Sequence, residues 1–206
     1  MKIIIIGGTG TIGRAVAQEL STRHEVLSIG NKSTNLTVDI ADSQSIKSMY
    51  EQIIKLENFT SGIDAVICTA GSVHFGELAK MTEKEYQIGL NHKLMGQVNL
   101  VLLGLNYINP KGSFTLTSGI LNRDPILFGA SAAMVNGALE GFVQSACIEM
   151  PKNTRINIIS PTVLTESLNI YQDYFRGFES VPVEKVARAY SKSVEGLQTG
   201  KIYTVG

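Results

Sequence analysis

The chain has no tryptophan, two cysteines and five prolines in 206 residues, and its 18 basic and 18 acidic side chains cancel. Each scarcity excludes something. Cys68 and Cys147 stand alone in apolar stretches without metal-ligand spacing, so they read as reduced core thiols and no metal is expected. The cancelled charge and the lack of a basic cluster argue against a nucleic-acid stripe and against a membrane-surface patch. A small, roughly neutral ligand or a nucleotide fits better. The apolar opening at residues 3–6 follows a single Lys2 and runs straight into glycines. It is far too short to span a bilayer and lacks the cleavage region of a signal peptide, so it reads as a buried strand of a cytoplasmic protein. No linker, repeat or low-complexity tract divides the sequence. With 44% hydrophobic residues, residues 1–206 are expected to form one domain.

What is present is an alternation. Short apolar runs at 2–6, 25–29, 36–38, 63–68, 113–117, 155–159 and 201–205 are separated by longer segments, several with helical period. That is the pattern of an α/β protein whose parallel sheet is covered by helices on both faces. Ile46, Met49, Tyr50, Ile53 and Ile54 fall on one stripe of a helix that starts near Asp42. Thr82 and Glu85 have capping-box spacing and should open a long helix running to about Leu105. A further helix is expected from about Ser131 to Met150, where Pro151 stops it. The stretch 165–181 has no clear period but holds Tyr171, Tyr174, Phe175 and Phe178. It reads either as a lid over a pocket or as an aromatic helix packed on the core.

Gly7-Gly8-Thr9-Gly10-Thr11-Ile12-Gly13 follows the first strand and leads into a helical pattern from Arg14 to Leu20. Glycine allows a tight turn and close approach of backbone to a pyrophosphate, while the first N–H groups and the dipole of the helix favour negative charge. Thr9 and Thr11 add hydroxyl donors. The spacing G-x-x-G-x-x-G differs from the common dinucleotide fingerprint G-x-G-x-x-G, and the alternative is a glycine turn with a purely structural role. Where the second strand ends, an NAD site places a carboxylate for the adenosine ribose. This chain instead reads Ile29-Gly30-Asn31-Lys32-Ser33, so Asn31 and Lys32 are expected to meet a 2′-phosphate, and NADP(H) is expected over NAD(H). Arg14 is a further candidate for that contact.

These residues resemble the short-chain dehydrogenase/reductase family, and the likeness runs over essentially the whole chain. Val38-Asp39-Ile40 is similar to the family's adenine-contacting Asp after the third strand, and Cys68-Thr69-Ala70-Gly71 resembles its Asn-Asn-Ala-Gly turn through Ala70 and Gly71. Residues 155–161, ending in Ser160-Pro161, resemble the segment on the nicotinamide side of the site. There Thr162 stands where Gly is usual, and Val163 is placed to offer backbone groups to a carboxamide. Thr199-Gly200-Lys201-Ile202-Tyr203 resembles the closing strand. The resemblance implies a Rossmann-type, doubly wound, seven-stranded parallel sheet. It also implies a homodimer or homotetramer formed through the helices at about 82–105 and 131–150.

The same resemblance locates what is missing. Family chemistry uses a Tyr acid/base, a Lys that lowers its pKa, a Ser that polarises the substrate oxygen, and an Asn that supports a relay water. Counting back from Ala138-Leu139-Glu140-Gly141-Phe142 puts Asn136 at the Lys position and Ala132 at the Tyr position. Gly119 falls at the Ser position with Ser118 one residue early, and Lys93 falls at the Asn position. Lys93, as a substitute cation, and Ser118 are therefore the candidate catalytic residues. His74, His92 and Asp124 are the other titratable groups expected near the site. Two functions compete: an oxidoreductase acting on a small carbonyl or alcohol, and a catalytically silent protein that senses the nucleotide or serves as a dimerising scaffold. A scaffold that no longer binds nucleotide is a third reading.

Overall fold

Side chains alternate across a strand, so four consecutive isoleucines can be buried only where both faces of a sheet are covered. Such a strand is β1 (Lys2–Ile6): Ile4 and Ile6 enter one core while Ile3 and Ile5 enter the other, all of them excluded from solvent. The computed structural model describes residues 1–30 and 36–206. In it β1 is flanked by β2 (Glu25–Ile29) and β3 (Ile63–Cys68), and the sheet continues through β4 (Ile108–Thr117), β5 (Arg155–Pro161) and β6 (Ile202–Val205). The order is β2-β1-β3-β4-β5-β6 and every pairing is parallel.

Among the described residues the sheet thus has six strands, one fewer than the sequence pattern suggests. The run at 36–38 makes a single parallel bridge, from Thr37 to Gly30, beside β2. The chain then turns: the Asp39 carboxylate accepts from the Ala41 N–H at 2.9 Å, and the Asp42 N–H donates to the Asp39 carbonyl at 3.2 Å. A side chain that competes for backbone groups in this way ends a ladder before a second pair forms.

Helices cover both faces. They are α1 (Thr11–Ser21), α2 (Ser43–Ile53), α3 (Glu83–Gly89), α4 (Gly96–Gly104), α5 (Ala130–Ala146), the short α6 (Leu168–Tyr171) and α7 (Val183–Glu195). One core is filled from α2, α4 and α5, including Ile46, Met49, Tyr50 and Ile53 of the expected stripe; Ile54, at its margin, is only partly buried. The other is filled from α1 and α7, through Val16, Leu20, Val186 and Tyr190. The Asp42 carboxylate caps α2 by accepting from the Gln44 N–H at 2.9 Å. The Thr82 N–H donates to Glu85 Oε2 at 2.6 Å within the capping box that opens α3.

Two helices depart from expectation. The segment expected to run unbroken to about Leu105 carries a π-helical stretch, Leu90–Met95, between α3 and α4. The helix expected to reach Met150 ends at Ala146. The residue before a proline is pushed out of the helical region, and Met150, before Pro151, is extended at φ −60°, ψ 121°. The stretch 165–181 forms a short 3₁₀ turn, α6 and a series of turns, pinned at its base where the Thr165 N–H donates to the Val181 carbonyl and the Val181 N–H to the Val163 carbonyl. Among the described residues no helix is long and apolar enough to cross a membrane.

Candidate functional site

At the carboxyl ends of β1 and β3 the glycine turn is held by backbone contacts. The N–H groups of Gly7 and Gly8 both donate to the Ile29 carbonyl, at 2.9 and 3.1 Å. Gly7 has φ +85°, and a Cβ there would stand 2.7 Å from the Ala70 nitrogen. A Cβ on Gly13 would stand 2.2 Å from the Gly7 carbonyl oxygen, so α1 rests directly on the loop that precedes it. Gly10 is the N-cap of α1 and supplies no side-chain acceptor, and the first turn of the helix holds no acidic residue. The positive end of the dipole therefore faces outward without internal neutralisation. Arg14 lies alongside, its Nη1 donating to the Thr9 carbonyl at 2.7 Å.

This turn forms one wall of a cleft of about 750 Å³. Of the expected binding residues, Gly7, Thr9, Gly10, Asp39, Ile40, Ala70 and Gly71 line it. Thr11, Ile12 and Gly13 form the first turn of α1 behind that wall, with Ile12 packed partly against the core. Asn31 and Lys32 lie outside the described residues. Sequence reasoning did not foresee Thr69, Ser45 or the binding role open to His92, all on the same lining. Thr69 Oγ1 shares its proton between the carbonyls of Ile6 and Gly7, and His92 Nδ1 accepts from the Ser72 N–H at 3.0 Å.

The second half of the site lies at the ends of β4 and β5. The π-helical stretch carries both His92 and Lys93, and such stretches recur where a helix must re-aim functional side chains. Lys93 Nζ donates to Asn136 Oδ1 at 2.7 Å and to the Ser118 carbonyl at 3.1 Å. Asn136 in turn donates from Nδ2 to the Gly119 carbonyl at 3.2 Å. Lys93 and Asn136, which the resemblance sets at the family's Asn and Lys positions, are thus bonded to each other. Burial pushes the Lys93 ammonium down to about 8. The aliphatic stem of Lys93 packs under Gly71, where a Cβ would meet its Cγ at 2.7 Å.

Ser118 is brought to Lys93 through its carbonyl, not its hydroxyl. Its Oγ donates to Glu140 Oε1 at 2.8 Å. The same carboxylate oxygen accepts from Ser160 Oγ and Arg123 Nη1, both at 2.9 Å, and Oε2 accepts from Asn122 Nδ2 at 2.7 Å. Four donors satisfy a carboxylate whose side chain is 9% exposed. Glu140 was missed as a hub, although Asn136 and Glu140 are four residues apart on α5 and so share a face. Pro161 and Val163 are buried near this end, and the Val163 carbonyl accepts from the Val181 N–H. Ala132, which the resemblance sets at the Tyr position, is buried. His74 Nε2 stands 3.4 Å from Glu85 Oε1 at the start of α3. Burial raises the Cys68 thiol to about 12, in keeping with a core thiol. Among the described residues no cluster of His, Cys, Asp and Glu could hold a metal ion.

Comparison with known proteins agrees with this arrangement. The sequence model of the family described as Enoyl-(Acyl carrier protein) reductase matches residues 10–190. A 3-ketodihydrosphingosine reductase from Bacteroides thetaiotaomicron is 27% identical over 183 residues, covering 82% of this chain and 67% of that protein. Among solved structures, the protein lin1944 from Listeria innocua is 48% identical with a TM-score of 0.95, each chain covered in full. A small-chain dehydrogenase in complex with NADPH is 24% identical with a TM-score of 0.84, over 100% of this chain and 96% of that one, a likeness of fold. With the glycine turn, the Ala70-Gly71 turn and the β4–β5 end in their expected order on a parallel sheet, this chain belongs to the short-chain dehydrogenase/reductase family.

Proposed function

We propose that this chain binds a nicotinamide dinucleotide, NADP(H) in preference to NAD(H), and acts as an oxidoreductase on a small carbonyl or alcohol, with its proton chemistry rebuilt around Lys93. The observation that carries the proposal is the cleft at the ends of β1 and β3, walled by a glycine turn whose helix begins without a side-chain cap or an acidic residue. Those donors fit a pyrophosphate: bare N–H groups and a positive helix end favour its charge, and Gly7 and Gly10 let it approach the backbone. Arg14, Asn31 and Lys32 would meet a 2′-phosphate, and Asp39 and Ile40 the adenine. Val163 and Pro161 would border the nicotinamide. The names of the family's curated relatives support the reaction class, and a fold neighbour solved with NADPH supports the phosphorylated nucleotide.

A bound nicotinamide supplies or accepts a hydride, and the protein must then hold the carbonyl and move a proton. An amine held at about 8 exists in both protonation states near neutrality, the property a donor of a proton to a developing alkoxide needs. Asn136 and the Ser118 carbonyl fix its position, which makes Ser118 a positioning residue unless its hydroxyl leaves Glu140. The test is NADPH oxidation measured with a panel of aldehydes, ketones and quinones. Turnover by the native chain, abolished in Lys93→Ala, is the expected result. Turnover unchanged in that variant removes Lys93 from the chemistry.

A second reading, a catalytically silent nucleotide sensor or dimerising scaffold, is favoured by one specific arrangement. The position that the resemblance gives to Tyr holds a buried alanine, and the Ser118 hydroxyl is already given to Glu140. NADPH binding with no oxidation across the whole panel would select it. In either case we propose that copies pair through α4 and α5, where Leu102 and Met134 are 53% and 42% exposed. Leu102→Glu combined with Met134→Glu is then expected to reduce the sedimenting mass to that of a monomer.

A further inference from the structure

The dinucleotide cleft and the Lys93 group leave unexplained a second cavity, of about 420 Å³, enclosed between the loop after β3, the segment 125–129 and the stretch after β5. Its walls include Phe75, Ile126, Phe128, Leu164, Tyr171 and Phe175, and among the described residues no Asp, Glu, Lys, Arg or His lines it. The polar side-chain atoms on the lining are the hydroxyls of Ser167, Tyr171 and Tyr174. The walls are tied together. The Gly76 N–H donates to the Phe128 carbonyl at 3.2 Å, and the Phe128 ring meets Tyr174 edge-on at 6.3 Å. A preformed, mostly apolar hollow of this size suits a small molecule.

Its position links it to the Lys93 group. Asn136 and the Pro161 carbonyl oxygen lie 3.2 and 3.8 Å from where a Cβ of Gly119 would stand, and two residues beyond Pro161 the chain enters the cavity wall at Val163. The cavity wall thus continues from the end of β5 that stands beside the Asn136–Gly119 contact, and an occupant would have its body among aromatic and aliphatic side chains.

We infer that this cavity receives an uncharged carbonyl compound with an aryl or branched-alkyl body and discriminates against carboxylate- and phosphate-bearing substrates. That the occupant is a substrate rests on the oxidoreductase reading above. Discrimination follows from the wall: a carboxylate placed there would lose its hydration without gaining a cationic partner, and hydroxyls alone do not replace it. Apolar surface on the occupant, by contrast, is removed from water against seven aliphatic and aromatic side chains besides the two tyrosine rings.

The test compares a matched pair, phenylcyclohexanone and the same ketone carrying a para-carboxylate on its ring. Both are titrated by calorimetry into the native chain saturated with NADPH, and NADPH is titrated separately. The chain lacks tryptophan, so Leu127→Trp, at a rim residue that is 70% exposed, adds a single emission reporter of occupancy independent of turnover. The neutral ketone is expected to bind and to shift that emission, the carboxylate to bind weaker by roughly a hundredfold or more, and Ser167→Trp to abolish ketone binding while NADPH binding stays unchanged. Equal or tighter binding of the carboxylate overturns the proposal, as does failure of the ketone to bind. The comparison in the native chain decides even if Ser167→Trp does not fold. A monomer–dimer equilibrium that shifts in Ser167→Trp, with no ketone binding, would assign the cavity to a second copy and also overturn it. Loss of NADPH binding alone, with the ketone pair still discriminated, would instead count against the dinucleotide reading and leave the cavity chemistry standing.

Discussion

The two ends of the site are built from different material. The end proposed to bind the dinucleotide is made of backbone: Gly7, Gly8 and Gly10 bond through main-chain groups, and Gly13 seats α1 on the turn. The end proposed to handle the proton is made of side chains, with Lys93, Asn136, Ser118 and Glu140 joined by hydrogen bonds across the helical segment after α3, β4 and α5. A backbone site admits little change, because a single added Cβ collides with fixed atoms. A side-chain site can be rewired, since Lys93 and Asn136 satisfy each other. The contrast fits a family member that keeps its glycine turn while Ala132 and Asn136 stand where the resemblance sets the acid/base pair.

The sharpest way to break the contrast is Gly13→Ala. Its methyl would stand 2.2 Å from the Gly7 carbonyl oxygen, so the turn must open. We expect NADPH affinity to fall at least a hundredfold, about 3 kcal/mol, in calorimetric titration, and the melting temperature to fall with it. The titration of Lys93 should not move.

Glu140→Ala attacks the other end. It removes the acceptor of Ser118, Ser160, Asn122 and Arg123, and breaking such a buried group is expected to cost about 3 kcal/mol in urea unfolding. NADPH affinity should change less than twofold. A large loss of affinity would show that the two ends are one unit.

Lys93 gives a finer test through pH. Its folded pKa, about 8, lies below the ordinary lysine value of 10.5 because of burial. Between these values the unfolded chain holds a proton that the folded chain has released, so Lys93's contribution to stability rises with pH across that window and is constant below about 8. Lys93→Met should flatten this rise in unfolding measurements. Carbon NMR of Lys93 Cε should show the midpoint directly, and Asn136→Leu, which removes an acceptor from the ammonium, should lower it further. An unmoved midpoint would mean that Asn136 does not hold the charged form.

The same contrast separates what could be read in the sequence from what could not. Glycine spacing after a strand, the helix start near Asp42 and the Thr82/Glu85 box are local constraints, each complete within a few residues, and the structure contains them as expected. The sheet was legible to within one strand, because the run at 36–38 looks apolar but the Asp39 turn ends it after one bridge. The helix α7 went unread: Pro182 precedes it without a side-chain cap to mark its start. The Glu140 hub gathers donors from Ser118, Asn122, Arg123 and Ser160, and no short-range pattern announces a contact between residues twenty positions apart. The π-helical stretch that aims Lys93 likewise leaves no periodicity to detect. Lys93 and Ser118 were nevertheless singled out together by position, although the bond between them runs through the serine carbonyl.

The central claim is that the backbone-built end still binds its nucleotide while the side-chain end has been rebuilt. The measurement that tests it most directly is calorimetric titration of the native chain with NADPH and with NADH. The account predicts binding of NADPH at micromolar Kd, about −8 kcal/mol, with NADH weaker. Binding of neither nucleotide would contradict it and leave the fold as a scaffold without its cofactor.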